Sequence, residues 1–220
     1  SEGASQNKYL EIYNGTDAVV DLTGLAYPNS SNGSDGNYEF WNTFPDGATV
    51  GPGEVYVIAA DGSWGTADAA IIAEADHTFQ YLSNGDDGFC LVVGTETNFT
   101  VLDCIGDWND DPGSGWDVAG VNNATKDHTL KRKAGLSQGN RGDWATSAGT
   151  DADNSEWIVT EMQLTPVLDE NGDPVLDDEG NPTYDYPQIG DWSDLGTHNN
   201  VLPCDGNEYV VTVDGGTWQS

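Results

Sequence analysis

The sequence predicts an all-β sandwich. Short runs rich in Val, Ile, Leu and aromatic residues recur between Gly, Pro, Asn and Asp turns along most of the first 160 residues. That rhythm belongs to a sandwich rather than to alternating strands and helices. One stretch, 66–76, has the Ala- and Ile-rich composition of a short helix. Eight Trp, nine Tyr and five Phe give this otherwise polar chain the material for a core.

The elements follow in order. Lys8-Tyr-Leu-Glu-Ile-Tyr13 alternates in part and ends at the turn dipeptide Asn14-Gly15. Val19–Leu22 and Gly24–Tyr27 are the next short strands, and a Ser/Asn/Gly loop over 29–37 leads into a strand at Tyr38–Trp41. Pro52-Gly53 introduces Glu54–Ala59, whose β-branched run favours a strand. Phe89–Val93 and Phe99–Ile105 form a hairpin around 94–98, and Thr129–Lys133 and Glu156–Thr160 complete the set.

Pairing Val93 with Val101 sets Cys90 opposite Cys104. Two outcomes stay open for that pair. A cross-strand disulfide forms if the Cα separation suits it and the compartment is oxidising; otherwise the two are buried thiols acting as small apolar groups. Cys204 is left over, free or bonded outside this segment, and without a Cys-x-x-Cys pair a zinc site is not expected.

Six Lys and Arg stand against 38 Asp and Glu, a net charge of −32. Nucleic acid needs a basic footprint, so it is excluded as a partner, and anionic membranes are disfavoured for the same reason. The charge suits a chain kept soluble by self-repulsion or one that recruits cations. No apolar run reaches membrane-spanning length and no signal peptide is visible, so membrane insertion is not expected. Scarce Lys with abundant Gly, Ser, Thr and Asn points to a secreted or cell-surface β protein. Both ends read as cut, as in a segment of a longer protein.

Pro166-Val-Leu-Asp-Glu-Asn-Gly-Asp-Pro174 runs into Pro174-Val-Leu-Asp-Asp-Glu-Gly-Asn-Pro182, a repeat with a period of eight residues. Tight turns at Asn171-Gly172 and Glu179-Gly180 would join the short strands of an inserted β-hairpin arm over 161–188. Asp169, Asn171 and Asp173 also have the spacing that starts a calcium loop, but Pro174 and Gly180 stand where an EF-hand needs Gly and Glu. Asp107, Asp110 and Asp111, on the acidic loop 107–117, form a second candidate calcium set, against which stands a solvated Gly/Pro/Asp turn.

Catalytic patterns are missing. His77, His128 and His198 are far apart, and no His-Glu-x-x-His, Gly-x-Ser-x-Gly or Walker pattern occurs. The chain is therefore read as non-enzymatic. Lys126, Lys131, Arg132 and Lys133 hold four of the six positive charges and either balance acidic neighbours or dock an acidic subunit. Trp41, Trp64, Trp108 and Trp116 lie in or beside loops; Trp108 and Trp116 are the candidates for glycan stacking, against which stands folding back onto the core. Sequons stand at Asn14, Asn29, Asn32, Asn98 and Asn123.

Lys8–Asn14, Val20-Asp-Leu-Thr-Gly24, Val50–Ile58, Asn84-Gly-Asp-Asp-Gly88 and Val101–Gly106 occur in an order that resembles the lamin-tail domain family. Gly115–Gly120, Lys126–Leu130, Ser155–Val159 and a closing segment from Gly190 to His198 resemble its bacterial, secreted branch. The resemblance implies an immunoglobulin-like sandwich without catalytic residues, used as a surface, adhesive or accessory module, sometimes beside nuclease or other hydrolase domains. Residues 1–200 would form the sandwich with its arm. Residues 201–220 would be a C-terminal extension, starting a following domain or supplying an inter-subunit strand through Tyr209, Val210, Val211 and Val213. Three functions are expected in this order: a structural or adhesive module that self-associates by β-strand addition, an accessory domain of a secreted hydrolase or nuclease, and a carbohydrate-binding module that meets glycans or other surface proteins.

Overall fold

A computed structural model describes residues 6–33, 36–161, 166–183, 192 and 194–198, and the backbone of 211–213 and 216–218. The strands are β1 (Tyr9–Tyr13), β2 (Val20–Asp21), β3 (Leu25–Ala26), β4 (Asn29–Ser30), β5 (Thr49–Val50), β6 (Val55–Ala60), β7 (His77–Phe79), β8 (Gly88–Thr95), β9 (Asn98–Ile105), β10 (His128–Arg132), β11 (Trp157–Glu161), β12 (Val211–Val213) and β13 (Gly216–Trp218). The helices α1 (Ala69–Glu74) and α2 (Trp144–Ala148) are short.

Two sheets enclose the main core. One has the order β1-β6-β7; in the other, β8 pairs with β3 and β4 as well as with β9. β6 reads Val-Tyr-Val-Ile-Ala-Ala because both of its faces are covered. Tyr56 and Ile58 point inward to Leu22, Tyr27, Phe44 and Phe89, while Val57 and Ala59 point outward to Tyr9, Ile71 of α1 and Leu195. A strand buried on both faces loses the apolar–polar alternation. β7 runs parallel to β6, and α1 makes the crossover that a parallel pair needs. Asp68 caps α1 by accepting from the Ala70 N–H at 2.8 Å.

β8 divides its side chains in the same way. Phe89 faces the main core, and Cys90 and Val92 face a second cluster with Ala26, Cys104 and Trp108. A third cluster joins Trp116, Val118, Trp144 of α2 and Trp157 of β11. Gly106 permits the approach of Trp116: its φ is +82°, and a Cβ there would lie 2.7 Å from the indole ring.

The structure corrects several expectations. Leu22–Gly24 is a 3-10 turn capped by Asp21, which ends the strand at Asp21. Tyr38–Trp41 contributes only the bridge from Phe40 to Asn29, and the loop expected from residue 29 begins as β4. The β8–β9 hairpin shifts register between Leu91 and Val92, so Val93 faces Thr100 while Cys90 still faces Cys104. Leu102 is the extra residue of that bulge, which sequence alternation does not reveal. The expected tight turns at Asn171-Gly172 and Glu179-Gly180 are present, each closed by a single bridge, Leu168–Pro174 and Leu176–Pro182, in place of longer paired strands. The flanks of the expected arm, 162–165 and 184–188, lie outside the described residues.

Candidate functional site

A cleft of about 300 Å³ lies between β1 and β10. Leu10, Ile12, Leu91, Ile105 and Leu130 give it apolar walls. Asp194, Thr197 and His198 stand at its rim. This rim segment is tied to both strands. The Gly196 N–H donates to Glu11 Oε1 at 2.7 Å, Lys131 ion-pairs with Asp194, and His198 packs on Tyr13 with ring centroids 4.5 Å apart.

The charges around the cleft respond to burial. Burial raises the Glu11 carboxyl above its usual range, and the Gly196 N–H works against that rise. Burial also raises Asp103, with the Arg132 guanidinium opposing. Burial lowers His198, and Lys131 adds to the fall.

Three of the four residues of the basic cluster, Lys131, Arg132 and Lys133, are bonded within their own chain. Arg132 pairs with Asp103 and Glu156 and lies over the Trp157 ring at 4.3 Å. Lys133 Nζ donates to the carbonyls of Ala152 at 2.5 Å and Ser155 at 2.6 Å. These contacts favour the charge-balancing reading of the stripe over direct docking.

β9 has its outer edge covered by a side chain. Asn140 accepts from the Cys104 N–H at 2.9 Å and donates to the Cys104 carbonyl at 2.8 Å. Arg141 N–H donates to the Leu102 carbonyl at 3.2 Å. Cys90 and Cys104 are joined by a disulfide. Their amides point away from each other, Cys90 to the Pro28 carbonyl at 3.1 Å and Cys104 to Asn140. Such a non-hydrogen-bonded pair brings opposing residues closest.

The calcium candidates are not assembled into a ligand set. Among the described residues no group of three or more His, Cys, Asp or Glu side chains converges to hold a metal ion. Asp169 Oδ1 accepts from the backbone N–H of Asn171 at 2.8 Å and of Asp173 at 3.0 Å. Asp107 Oδ1 accepts from Asn109, and Asp111 Oδ1 from the Gly113 N–H. A carboxylate turned towards backbone donors stabilises its own turn. Asp110 shares the loop without joining either partner at a common point.

The glycan candidates are also corrected. Trp108 and Trp116 are only 8% and 7% exposed. Trp108 packs against the disulfide and its Nε1–H donates to the Gly88 carbonyl at 3.2 Å; Trp116 lies in the third cluster. The exposed aromatic corner is elsewhere: Trp64 is 67% and Tyr81 54% exposed, with ring centroids 5.4 Å apart and planes at 84°. Sequence reading placed Trp64 in a loop without separating it from the buried indoles. Of the sequons, Asn14 and Asn29 are buried, and the Asn14 amide donates to the carbonyls of Ala18, Val50 and Gly51.

The family model of the Lamin Tail Domain matches residues 1–97. Residues 1–97, less than half of the 220, are similar to the lamin-tail domain family. The fold is an all-β sandwich with few helices, consistent with the lamin-tail family, which is immunoglobulin-like and non-enzymatic. No curated protein and no solved structure matches the chain. The lamin-tail match ends at the tip of the β8–β9 hairpin, so the likeness drawn over 98–160 and 190–198 lies beyond it.

For the expected assembly strand, Val211 and Val213 belong to β12, which has a partner: it pairs antiparallel with β13. Tyr209 and Val210 lie outside the described residues. No helix among the described residues is long and apolar enough to cross a membrane.

Proposed function

We propose that this chain is a non-catalytic, extracellular structural or adhesive module that assembles with copies of itself. The arm carries this reading. Val167, Val175 and Thr183 close a ring of backbone hydrogen bonds: Val167 N–H donates to the Thr183 carbonyl at 2.9 Å, Val175 to Val167 at 2.8 Å, and Thr183 to Val175 at 2.7 Å. Asp169 and Asp177 pin the two turns. Yet residues 168–182 are exposed throughout, with Leu168, Val175 and Leu176 among the exposed large apolar side chains. An element ordered by its own polar contacts that presents apolar groups to water suits contact with another surface. The disulfide supports an oxidising, extracellular setting.

Electron microscopy of the purified chain at rising concentration tests the reading. Ordered polymers or fibrils are the expected result; dispersed single particles at every concentration and salt would overturn it. The Trp64–Tyr81 corner favours a second reading, glycan binding at a site other than the one the sequence suggested. Affinity electrophoresis in gels containing soluble polysaccharides should then show retardation that Trp64→Ala abolishes.

A further inference from the structure

We infer that the groove between β1 and β10 accepts the β12–β13 hairpin of a second copy of this chain, an inference that rests on the self-assembling reading above. The two walls of the groove are strand edges. β1 uses one side for β6: the Lys8 carbonyl accepts from the Ala60 N–H at 3.0 Å and Asn14 N–H donates to the Glu54 carbonyl at 2.9 Å. Peptide groups alternate along an antiparallel strand, so those of Glu11 and Tyr13 point away from β6. β10 behaves likewise. Lys133 N–H donates to the Glu156 carbonyl at 2.9 Å, which turns the peptide groups of Leu130 and Arg132 away from β11. Among the described residues, β1 pairs only with β6 and β10 only with β11.

β9 differs from β1 and β10 at its edge. Asn140 and Arg141 cover that edge with side-chain and backbone bonds, a protection expected of a sheet edge that is not meant to pair. No strand does the same for β1 or β10 among the described residues. An added hairpin, with one strand against each wall, would join β7-β6-β1 to β10-β11 over an apolar floor, the β-augmentation mode of recognition.

The donor has the matching need. β12 and β13 pair only with each other among the described residues, and a two-stranded hairpin alone is marginal in water. Its register sets Val213 opposite Gly216 across a two-residue turn and Thr212 opposite Thr217. The pair beside such a turn is hydrogen-bonded, so the Thr212 N–H points to the open edge. Charge also favours this docking point. Two copies of −32 repel, and the β10 rim carries Lys131, Arg132 and Lys133, three of only six Lys and Arg. Bonded within their own chain, these cations still make the local potential less negative. The hairpin and its approach bring Asp205, Glu208 and Asp214 and no Lys or Arg.

The test compares the full chain with Thr212→Pro, by sedimentation velocity over a concentration series in 1 M NaCl, as an order-of-magnitude screening condition, together with amide hydrogen exchange. Proline is tolerated on an edge strand whose N–H faces solvent, so the variant keeps the hairpin ladder and loses only the outward donor. We expect the assembly threshold to rise at least about tenfold with the melting temperature unchanged. In the wild type, the Glu11, Tyr13, Leu130 and Arg132 amides should gain protection only in the assembled fraction. Assembly that survives Thr212→Pro with those amides unprotected would overturn the groove while leaving self-assembly standing. Protection of the same amides in monomers would mean that the hairpin inserts into its own chain, which also overturns the inference. Absence of any wild-type assembly would remove both readings.

Discussion

Arg132 ties three elements together from one position on β10. It bridges Asp103 of β9 and Glu156 beside β11, and its guanidinium lies over Trp157. Planar guanidinium groups suit such a combined role, which Lys cannot reproduce. Burial raises the Asp103 carboxyl against the pull of Arg132, so removal of the cation leaves a part-buried carboxylate short of partners. Arg132→Met should therefore cost about 2–3 kcal/mol in urea unfolding at pH 7. The cost should shrink as the pH falls through the range, raised by burial, in which the Asp103 carboxyl takes up a proton and has less need of the cation. Asp87 gives a second prediction of defined sign. Burial raises it to about 6, with Asp86 and Glu39 adding and the Asn32 N–H and Lys8 opposing. The folded state then holds its proton more tightly than the unfolded state does. This makes the Asp87 contribution to stability fall as the pH rises from about 4 to about 6 and stay low above. Asp87→Asn should raise the melting temperature at pH 7 and leave it nearly unchanged at pH 4; a variant less stable at pH 7 would show that the ionised form is needed.

At the level of elements, the β8–β9 hairpin depends on a residue far from it in sequence. Asn140 takes the place of a neighbouring strand at Cys104, meeting both its N–H and its carbonyl. Asn140→Ala would strand two part-buried backbone groups at a cost of about 1–3 kcal/mol, seen as faster exchange of the Cys104 amide and a lower urea midpoint. The hairpin was legible in the sequence because Phe89–Val93 and Phe99–Ile105 are strong strand formers flanking a turn. β6, β10, β11 and α1 were legible for similar local reasons. What stayed hidden was set by tertiary contact. The bulge at Leu102 depends on the paired strand. β7, with only three residues, exists through its parallel pairing to β6. α2 and its Trp144 take their place from the cluster around Trp116 and Trp157. Eight Trp residues carry no local mark of burial, which is why Trp108 and Trp116 read as loop residues and Trp64 did not stand out. The groove was beyond sequence reasoning altogether, since its walls come from β1 and β10, more than a hundred residues apart.

The whole molecule is governed by its charge of −32. Surface repulsion at that density opposes both compactness and the approach of a second copy. Screening acts on it directly: the Debye length falls from about 10 Å at 0.1 M salt to about 3 Å at 1 M. The melting temperature and the assembled fraction should therefore both rise across that range, and NaCl and KCl should be equivalent at equal ionic strength. Calcium offers the discriminating comparison. The Asp169 and Asp177 carboxylates accept backbone N–H groups from their own turns, and their pKa values are lowered chiefly by those bonds. Ion coordination would have to compete with donors already in place. Calcium chloride at matched ionic strength should thus stabilise the chain no more than a doubly charged counterion does by screening, with magnesium as the control. A saturable rise in melting temperature with calcium alone, reversed by chelator, would instead mean that the acidic turns reorganise around the ion, and differential scanning calorimetry over a calcium titration distinguishes the two.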